Sequence, residues 1–293
     1  MRRYAFFPGC FIQVRLPHIE AISRRILGEL GVELVDVEGF TCCPEAVTLS
    51  VDKMSWRVMA ARNLSLAEEL GLDILTLCNG CLYTLRTVNQ ELKGDEELRG
   101  RVNDALSVID REFRGLIRVR HFAEILIEDL ERMKTHVERP LEGLRIACHT
   151  GCHILSPPEI MGFDDPYDPV ILDELVEALG AEAVDYDLKT LCCGWTLSTY
   201  GSREASERLL ASKLNSMRRG GATAIAVICP QCFHQFDVGQ ASAARRLGIE
   251  YRLPVFYYLE LLALAMGFSL DEVGYRYHRV RSGEVERALE VAG

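Results

Sequence analysis

The sequence predicts an α/β protein of two duplicated halves, each a Rossmann-like parallel sheet with its candidate ligands at the C-terminal ends of the strands. Strand-like and helix-like segments alternate along the chain, which favours parallel sheets. One cysteine pattern occurs twice in the same order, and 293 residues are enough for two domains of ordinary size. We therefore expect cysteine-rich domains over residues 1–138 and 139–293, related by a pseudo-two-fold axis.

The first half alternates short apolar runs with segments of helical periodicity. Strands are predicted over residues 4–7, 32–35 and 73–77. Apolar residues at helical spacing predict helices over 18–30 and 55–70, each closed by a glycine. Residues 91–115 are highly charged, which indicates a solvated helical insertion.

The second half repeats this order after a polar boundary at residues 131–143. Its predicted strands cover residues 144–147, 183–186 and 223–228, and its predicted helices cover 170–179 and 202–219. Residues 153–169 hold four prolines and are expected to form a longer loop. Residues 119–126 resemble residues 255–262, so the repeat is expected to continue past the cysteines.

Ten of the eleven cysteines form the repeated pattern, which reads Gly-Cys, then Cys-Cys, then Cys-x-x-Cys. The first set is Cys10, Cys42, Cys43, Cys78 and Cys81. The second set is Cys152, Cys192, Cys193, Cys229 and Cys232. Every member of the first set follows a predicted strand, and ligands of parallel sheets collect at the C-terminal strand ends. Each set is therefore expected to converge although its members are far apart in sequence.

The cysteine chemistry leaves several alternatives. Structural disulfides are disfavoured because the chain is neither small nor marked for secretion. A thioredoxin-like dithiol explains only Cys78 and Cys81. Five thiols per half exceed the four ligands of a tetrahedral zinc ion, although two zinc sites with a spare cysteine each stay possible. Adjacent cysteine side chains are expected to diverge, which favours a larger iron–sulfur cluster over one small ion.

Charge and hydropathy argue against a nucleic-acid-binding, secreted or membrane-spanning protein. The net charge of −10 disfavours a nucleic-acid partner, because phosphate binding needs a basic surface. The N-terminal apolar run is too short for a signal peptide, and the longest apolar stretch, residues 255–268, is too short to span a bilayer. We therefore expect a soluble, cytoplasmic protein.

The doubled pattern Cys-x(31–39)-Cys-Cys-x(34–36)-Cys-x-x-Cys resembles the cysteine-rich repeat called the CCG domain. A chain made of two such repeats is similar to the B subunits of heterodisulfide reductases from methanogenic archaea. The resemblance implies two non-cubane [4Fe–4S] clusters, one held by each set of five cysteines. It also implies reduction of the mixed disulfide of coenzyme M and coenzyme B to two thiols. Pro44 departs from the repeat, which carries a glycine there, as Gly194 does in the second half.

The chemistry of the residues agrees with this resemblance. Splitting a disulfide takes two electrons, whereas an iron–sulfur cluster passes one at a time, so two clusters facing one cleft suit the reaction. The chain lacks a ferredoxin cysteine run and a Gly-x-Gly-x-x-Gly loop. It is therefore expected to receive electrons from the family's ferredoxin-like iron–sulfur subunit and its flavin-containing subunit. The alternatives are an electron-relay subunit of a hydroxyacid or succinate-type oxidoreductase, and a zinc-binding scaffold.

Residues outside the two sets carry weaker signals. Cys148 has the apolar Phe6 as its counterpart, so we expect a buried thiol and not a ligand. His153 and His234 follow ligands closely and are weak candidates for donating a proton to a departing thiolate. Candidate cationic partners of an anionic substrate are Arg15, Arg86, Lys213 and His121. Trp56, Trp195, Tyr257 and Tyr258 are expected in the core.

Overall fold

The structure, a computed structural model, describes residues 2–248 and 252–291. It contains two four-stranded parallel sheets with helices between successive strands. The first sheet comprises β1 (Arg2–Phe7), β2 (Val32–Asp36), β3 (Ile74–Thr76) and β4 (Val119–His121). The second comprises β5 (Arg145–His149), β6 (Glu182–Val184), β7 (Ala224–Val227) and β8 (Val255–Tyr257).

The helices follow the same repeated order. Those of the first half are α1 (Cys10–Arg15), α2 (Pro17–Glu29), α3 (Lys53–Glu69), α4 (Asn79–Gly94), α5 (Glu96–Ser107), α6 (Phe122–Glu128) and α7 (Leu130–Lys134). Those of the second half are α8 (Pro158–Met161), α9 (Ile171–Glu177), α10 (Trp195–Tyr200), α11 (Arg203–Arg219), α12 (Pro230–His234), α13 (Gln240–Leu247), α14 (Tyr258–Ala265) and α15 (Gly283–Val291).

The two sheets have the same topology, which confirms the predicted fold class. The strand orders are β2-β1-β3-β4 and β6-β5-β7-β8, with every pair parallel. Phe6 pairs with Leu75 in the first sheet, and Cys148 pairs with Ala226 at the matching register of the second. Parallel strands joined by helices leave all the strand C-termini on one edge of each sheet.

Local chemistry explains why equivalent helices begin at equivalent positions. The Asp52 carboxylate accepts the amides of Met54 and Ser55 at the start of α3, and Ser202 accepts the amide of Ala205 at the start of α11. Both helices have 17 residues. They occupy the same place in the two repeats, so their residues can be compared position by position.

The fourth strand of each half leads into a capped helix, which confirms the predicted similarity of residues 119–126 and 255–262. The carboxylate of Glu124 accepts the amide of His121 at the start of α6. Glu260 accepts the amide of Tyr257 in the same way at the start of α14. The two glutamates therefore occupy equivalent positions in the two repeats.

Some predicted boundaries differ from the observed ones. The charged segment 91–115 includes the end of α4, the helix α5 and an irregular stretch. That stretch lies against α3 because the Glu68 carboxylate accepts the amides of Arg114 and Leu116. The predicted loop 153–169 includes the short helix α8, which begins at Pro158.

Contacts between the halves join their strand ends and their helices. The Asn79 side chain donates to the carbonyl of Thr150 at 2.7 Å, and Arg86 donates to the carbonyl of Met161 at 2.6 Å. α14 packs against α2 of the first half. Over the described ranges, each helix is too short or too polar to cross a lipid bilayer.

Candidate metal centre

A glycine with positive φ directly precedes the first cysteine of each set. Gly9 has φ 85° and Gly151 has φ 86°, a region that glycine adopts without strain. A Cβ atom on Gly9 would lie 3.0 Å from the sulfur of Cys81, and one on Gly151 would lie 2.7 Å from the amide nitrogen of Asn79. The Gly-Cys pairs are therefore required both for the turn and for the close approach of the backbone to its neighbours.

The two Cys-x-x-Cys motifs lie at helix N-termini. Cys78 caps α4 and Cys229 caps α12, and the second cysteine of each motif lies in the first helical turn. The Tyr257 hydroxyl donates to the carbonyls of Leu77 and Ile228, which directly precede the two motifs. This tyrosine therefore holds the ends of β3 and β7 together at the boundary between the halves.

The thiols of the first set form a continuous row. The sulfurs of Cys10 and Cys42 are 3.8 Å apart. Cys42 contacts Cys43, Cys43 contacts Cys81, and Cys81 contacts Cys78. Cys10 and Cys42 are exposed, whereas the other three are buried. The row therefore runs from the surface into the protein.

The second set forms an equivalent row, and the two rows meet. Cys152 contacts Cys192, Cys192 contacts Cys193, Cys193 contacts Cys232, and Cys232 contacts Cys229. Cys229 also interacts directly with Cys78 of the first set. All ten cysteines of the repeated pattern thus come together, and each set converges at its strand ends.

The expectation that adjacent thiols diverge is wrong. Cys42 and Cys43 interact with each other, as do Cys192 and Cys193. Side chains alternate only along a regular strand, and both pairs lie in irregular loops after β2 and β6. Divergence of adjacent thiols therefore does not distinguish an iron–sulfur cluster from a single ion, whereas the number and spacing of the thiols do.

The contacts separate the pKa values of neighbouring thiols. Hydrogen bonds from Cys42 and Cys81 lower the pKa of Cys43 to about 5. Hydrogen bonds from Cys232 and Cys78 place the pKa of Cys229 well below its usual range. The hydrogen bond to Cys42, together with burial, raises the pKa of Cys10. Deprotonated thiolates, the form that binds metal, are thus stabilised inside both rows.

The spacing of the thiols fits an iron–sulfur cluster better than a single ion. Across residues 2–248 and 252–291, no three cysteine sulfurs lie within 4.8 Å of one another, and the compact group that contains Cys193 and Cys232 has His149 as its third member. A tetrahedral zinc ion needs four ligands about 2.0–2.3 Å from one centre, which requires a compact group. Five sulfurs in an extended row suit an object with several metal atoms, each needing its own ligand.

His149 belongs to this site, although the sequence did not single it out. Its ligand atom lies within 4.8 Å of the sulfurs of Cys193 and Cys232, and neither ring nitrogen has a hydrogen-bond partner. Burial, with the nearby Lys213, lowers its pKa well below the usual range, so the imidazole is neutral. The available signal was its place, three residues before Cys152 and two residues after a predicted strand.

Lys213 holds the loop that carries Cys192 and Cys193. Its ammonium group is buried and donates to the carbonyls of Leu188, Lys189 and Leu191 at 2.6, 3.0 and 2.6 Å. Burial lowers its pKa to about 8. The candidate substrate cation therefore supports the ligand loop and does not face solvent.

A cavity of about 170 Å³ lies beside the first set and is lined by both halves. Its walls include Cys10, Cys42, Cys78 and Cys81 of the first half, and Trp195, Tyr200, Pro230 and Gln231 of the second. Glu45 spans the halves, because it accepts hydrogen bonds from Tyr200 at 2.7 Å and from Gln231 at 2.9 Å. The Glu45 contact raises the pKa of Tyr200 to about 12.

The cationic candidates do not line this cavity. Arg86 is buried and forms an ion pair with Glu124 at 2.6 Å. His121 is buried at the start of α6, where burial lowers its pKa to about 3. Arg15 borders a separate surface cavity. These residues therefore do not supply this cavity with the cations that were expected to pair with an anionic substrate.

The aromatic and histidine candidates lie at the boundary between the halves. Trp195 packs against Phe11 and His234, with ring centroids 5.0 Å from each. It is partly buried against the core and also lines the cavity, so it lies at the edge of the core. His153 packs against Tyr83 at 5.0 Å, much as His234 packs against Phe11 at 5.4 Å.

The other three aromatic candidates are fully buried, as expected, and they are Trp56, Tyr257 and Tyr258. Cys148 is also buried, in β5 and outside both rows, with its sulfur 3.7 Å from the carbonyl of Leu172. Burial and the nearby Asp173 raise its pKa. The apolar counterpart of Cys148, Phe6, predicts such a neutral thiol surrounded by core residues. That Cys148 is not a cluster ligand stays a prediction.

Comparisons with known proteins agree with the duplicated architecture. The cysteine-rich domain model CCG matches residues 4–86 and again residues 146–237. The B subunit of a ferredoxin/F420H2-dependent CoB–CoM heterodisulfide reductase from Methanosarcina acetivorans is 40% identical over 97% of this chain and 96% of its own length. The B subunit of the ferredoxin:CoB–CoM heterodisulfide reductase from Methanosarcina mazei is 38% identical over the same shares.

Proteins of lower sequence identity include a subunit of a different reductase and a solved structure of similar fold. The membrane anchor subunit of 8-methylmenaquinol:fumarate reductase from Wolinella succinogenes is 30% identical over 94% of this chain and 96% of its own length. A hypothetical protein from Helicobacter pylori has a similar fold, with a TM-score of 0.76 and 12% identity over 97% of this chain and 53% of its own. The chain belongs to the CCG cysteine-rich domain family, and it carries one copy of that domain in each half.

Proposed function

We propose that this chain is the catalytic subunit of a heterodisulfide reductase, which reduces the mixed disulfide of coenzyme M and coenzyme B to two thiols. The observation that carries the proposal is the meeting of two five-thiol rows at Cys78 and Cys229, beside a cavity lined by both halves. The 40% identity to the B subunit of such a reductase, over nearly the whole chain, supports it.

The proposed cofactors are two non-cubane [4Fe–4S] clusters, one for each half. The first would be held by Cys10, Cys42, Cys43, Cys78 and Cys81, and the second by Cys152, Cys192, Cys193, Cys229 and Cys232. When bound, such clusters supply electrons one at a time. The fivefold thiol count and the extended rows support this assignment, and the proposed domains that would hold the two clusters are residues 1–138 and 139–293.

The reaction consumes two electrons and two protons, breaks one S–S bond and releases two thiols. The chain's own contribution is to position the ligands and to shape the cavity, with Trp195 and Phe11 on its wall. His153 and His234 are the candidates for delivering protons, because each lies at the boundary between the halves. Glu45 keeps the cavity wall closed through its bonds to Tyr200 and Gln231.

The electrons must reach the chain from another protein under this proposal. The proposed partners are a ferredoxin-like iron–sulfur subunit and a flavin-containing subunit of one cytoplasmic complex. The Methanosarcina relatives are subunits of larger reductases, which supports a multisubunit complex. The lack of a nucleotide-binding loop in the sequence supports an external donor.

The test is an anaerobic preparation loaded with iron and sulfide and assayed with the coenzyme M–coenzyme B disulfide and a reduced one-electron dye. We expect two thiols per disulfide consumed, with little activity in the Cys10→Ser variant. Cys148→Ala serves as the matched control, because it also removes one thiol and should keep its iron and activity. A fully iron-loaded protein that does not turn over the disulfide would contradict the proposal.

A second candidate function is electron relay in a hydroxyacid or succinate-type oxidoreductase, and the 30% identity to a subunit of the Wolinella fumarate reductase favours it. A relay protein would be reduced by the dye and would pass electrons to a partner, but it would leave the disulfide intact. The same assay separates the two functions. Zinc in place of iron and sulfide would instead indicate the scaffold alternative.

A further inference from the structure

Two histidines and a glutamate converge away from the thiol rows. The nearer Glu260 oxygen lies 3.0 Å from Nε2 of His278 and 3.9 Å from Nε2 of His18. All three ligand atoms lie within 4.8 Å of one another. The Glu260 and His278 side chains are 0% exposed and His18 is 10% exposed. They come from α14, from the C-terminal segment after it, and from α2.

The equivalent glutamate of the first half has a different partner. Glu124 is neutralised by Arg86, which lies five residues after Cys81. The residue five after Cys232 is Asp237, which accepts the amides of Arg279 and Val280. The second half thus has an acid where the first has a cation, and the buried carboxylate of Glu260 faces two imidazoles.

A hydrogen bond to His278 alone does not satisfy this cluster. Nε2 of His18 stays buried without a hydrogen-bond partner. Unpaired buried polar atoms are uncommon in proteins and usually indicate a missing partner. A cation bound between the three atoms would neutralise the carboxylate and provide a partner for both imidazoles.

We propose that His18, Glu260 and His278 bind one divalent transition-metal ion, with zinc as the best match. Two imidazole nitrogens and one carboxylate oxygen form a common zinc ligand set. The other Glu260 oxygen accepts the Tyr257 amide, which orients the carboxylate. His18 and Tyr277 border a surface cavity, from which a water molecule would supply the fourth ligand. The ion would fasten α2 of the first half to α14 and the C-terminal segment of the second.

The test measures zinc in the full chain, prepared anaerobically with its iron in place and then equilibrated with micromolar zinc. We expect about one tightly bound zinc per chain, with an X-ray absorption shell of nitrogen and oxygen near 2.0 Å. His18→Gln and His278→Gln should each weaken zinc binding at least tenfold. His136→Gln is the matched control, because His136 lies in the boundary segment and contacts Arg132 and Thr135 locally.

His18→Gln is the more informative variant, because His18 reaches the surface and its loss leaves the bond between His278 and Glu260 intact. Zinc should raise the melting temperature of the wild type and of His136→Gln, but not that of His18→Gln. Zinc bound only through sulfur near 2.3 Å, or no zinc bound at micromolar concentration, would overturn the proposal. The zinc content does not depend on disulfide reduction, so this test can fail while the proposed function holds.

Discussion

The loop that carries Cys42 and Cys43 and the loop that carries Cys192 and Cys193 are held by different chemistry at the same position. Asn63 in α3 donates to the carbonyl of Cys42 at 3.3 Å and accepts the amide of Thr41 at 2.9 Å. The equivalent residue of α11 is Lys213, whose ammonium group binds three carbonyls of its loop. The two repeats therefore share a residue that anchors the loop of adjacent cysteines, but this residue is neutral in the first half and cationic in the second.

Other differences also concentrate in the second half. His149 lies beside Cys193 and Cys232, whereas its counterpart Phe7 is apolar. Gly194 has φ 89°, while the first half has Pro44, which cannot adopt that conformation. Two sites of the same architecture can therefore hold the same kind of cofactor at different electrostatic potentials. A buried cation favours the reduced state of a nearby cluster, so we expect the second site to be the easier one to reduce.

The largest expected effect is the loss of one cofactor from one half. Cys232→Ser removes the last proposed ligand of the second set, and Cys81→Ser removes the equivalent proposed ligand of the first. Each variant should lose about half of its iron, because each set has its own five thiols. Iron and acid-labile sulfide analysis, with electron paramagnetic resonance of the reduced protein, measures this. Complete iron loss in both variants would show that the two halves share one cluster.

The second-largest expected effect is a loss of stability when the Arg86 guanidinium, which pairs with Glu124 in the first half, is removed. Arg86→Met should destabilise the protein by about 3 kcal/mol, because Glu124 loses its nearest counter-charge and keeps only Arg120, at 3.6 Å. Urea unfolding followed by circular dichroism measures the change. Arg57→Met is the control, since Arg57 pairs with Glu91 nearer the surface and should cost about 1 kcal/mol or less. Equal losses in the two variants would argue against a special role for the buried pair.

The difference in charge between Asn63 and Lys213 is tested by Lys213→Gln, which keeps a hydrogen-bond donor and removes the cation. The midpoint potential of the cluster proposed for the second half should fall on the order of 100 mV, as expected for one unit charge a few ångströms away at an effective dielectric of about 20. Asn63→Gln in the first half should leave that potential unchanged. Redox titration monitored by electron paramagnetic resonance measures both. An unchanged potential in Lys213→Gln would mean that the two sites are electrostatically equivalent.

The smallest expected effect concerns Gly194 and Pro44. Gly194→Ala should destabilise the protein by about 1–2 kcal/mol, because an L side chain is strained at φ 89°. The added Cβ would also lie 3.0 Å from the hydroxyl oxygen of Ser206. Pro44→Ala should cost no more than about 1 kcal/mol, mainly through greater freedom of the unfolded chain. Urea unfolding compares the two, and a larger loss from Pro44→Ala would reverse the comparison.

The sequence by itself determines the features that depend on local pattern. Alternating apolar runs and helical periodicities predicted the strands and most helices, because these patterns report which face of a segment is buried. The doubled spacing of ten cysteines predicted two equivalent sites at the strand ends, because parallel sheets place those ends together. The similarity of residues 119–126 and 255–262 predicted that the fourth strands would correspond.

Only the tertiary structure decided which residues surround those sites. His149, Glu45 and the meeting of Cys78 with Cys229 depend on how distant segments pack, and sequence spacing does not specify that packing. Arg86 and Lys213 look like solvated charges in the sequence, but the fold buries both of them. A long charged side chain can extend to solvent or turn inward to a partner, and only the neighbouring chain segments determine which occurs.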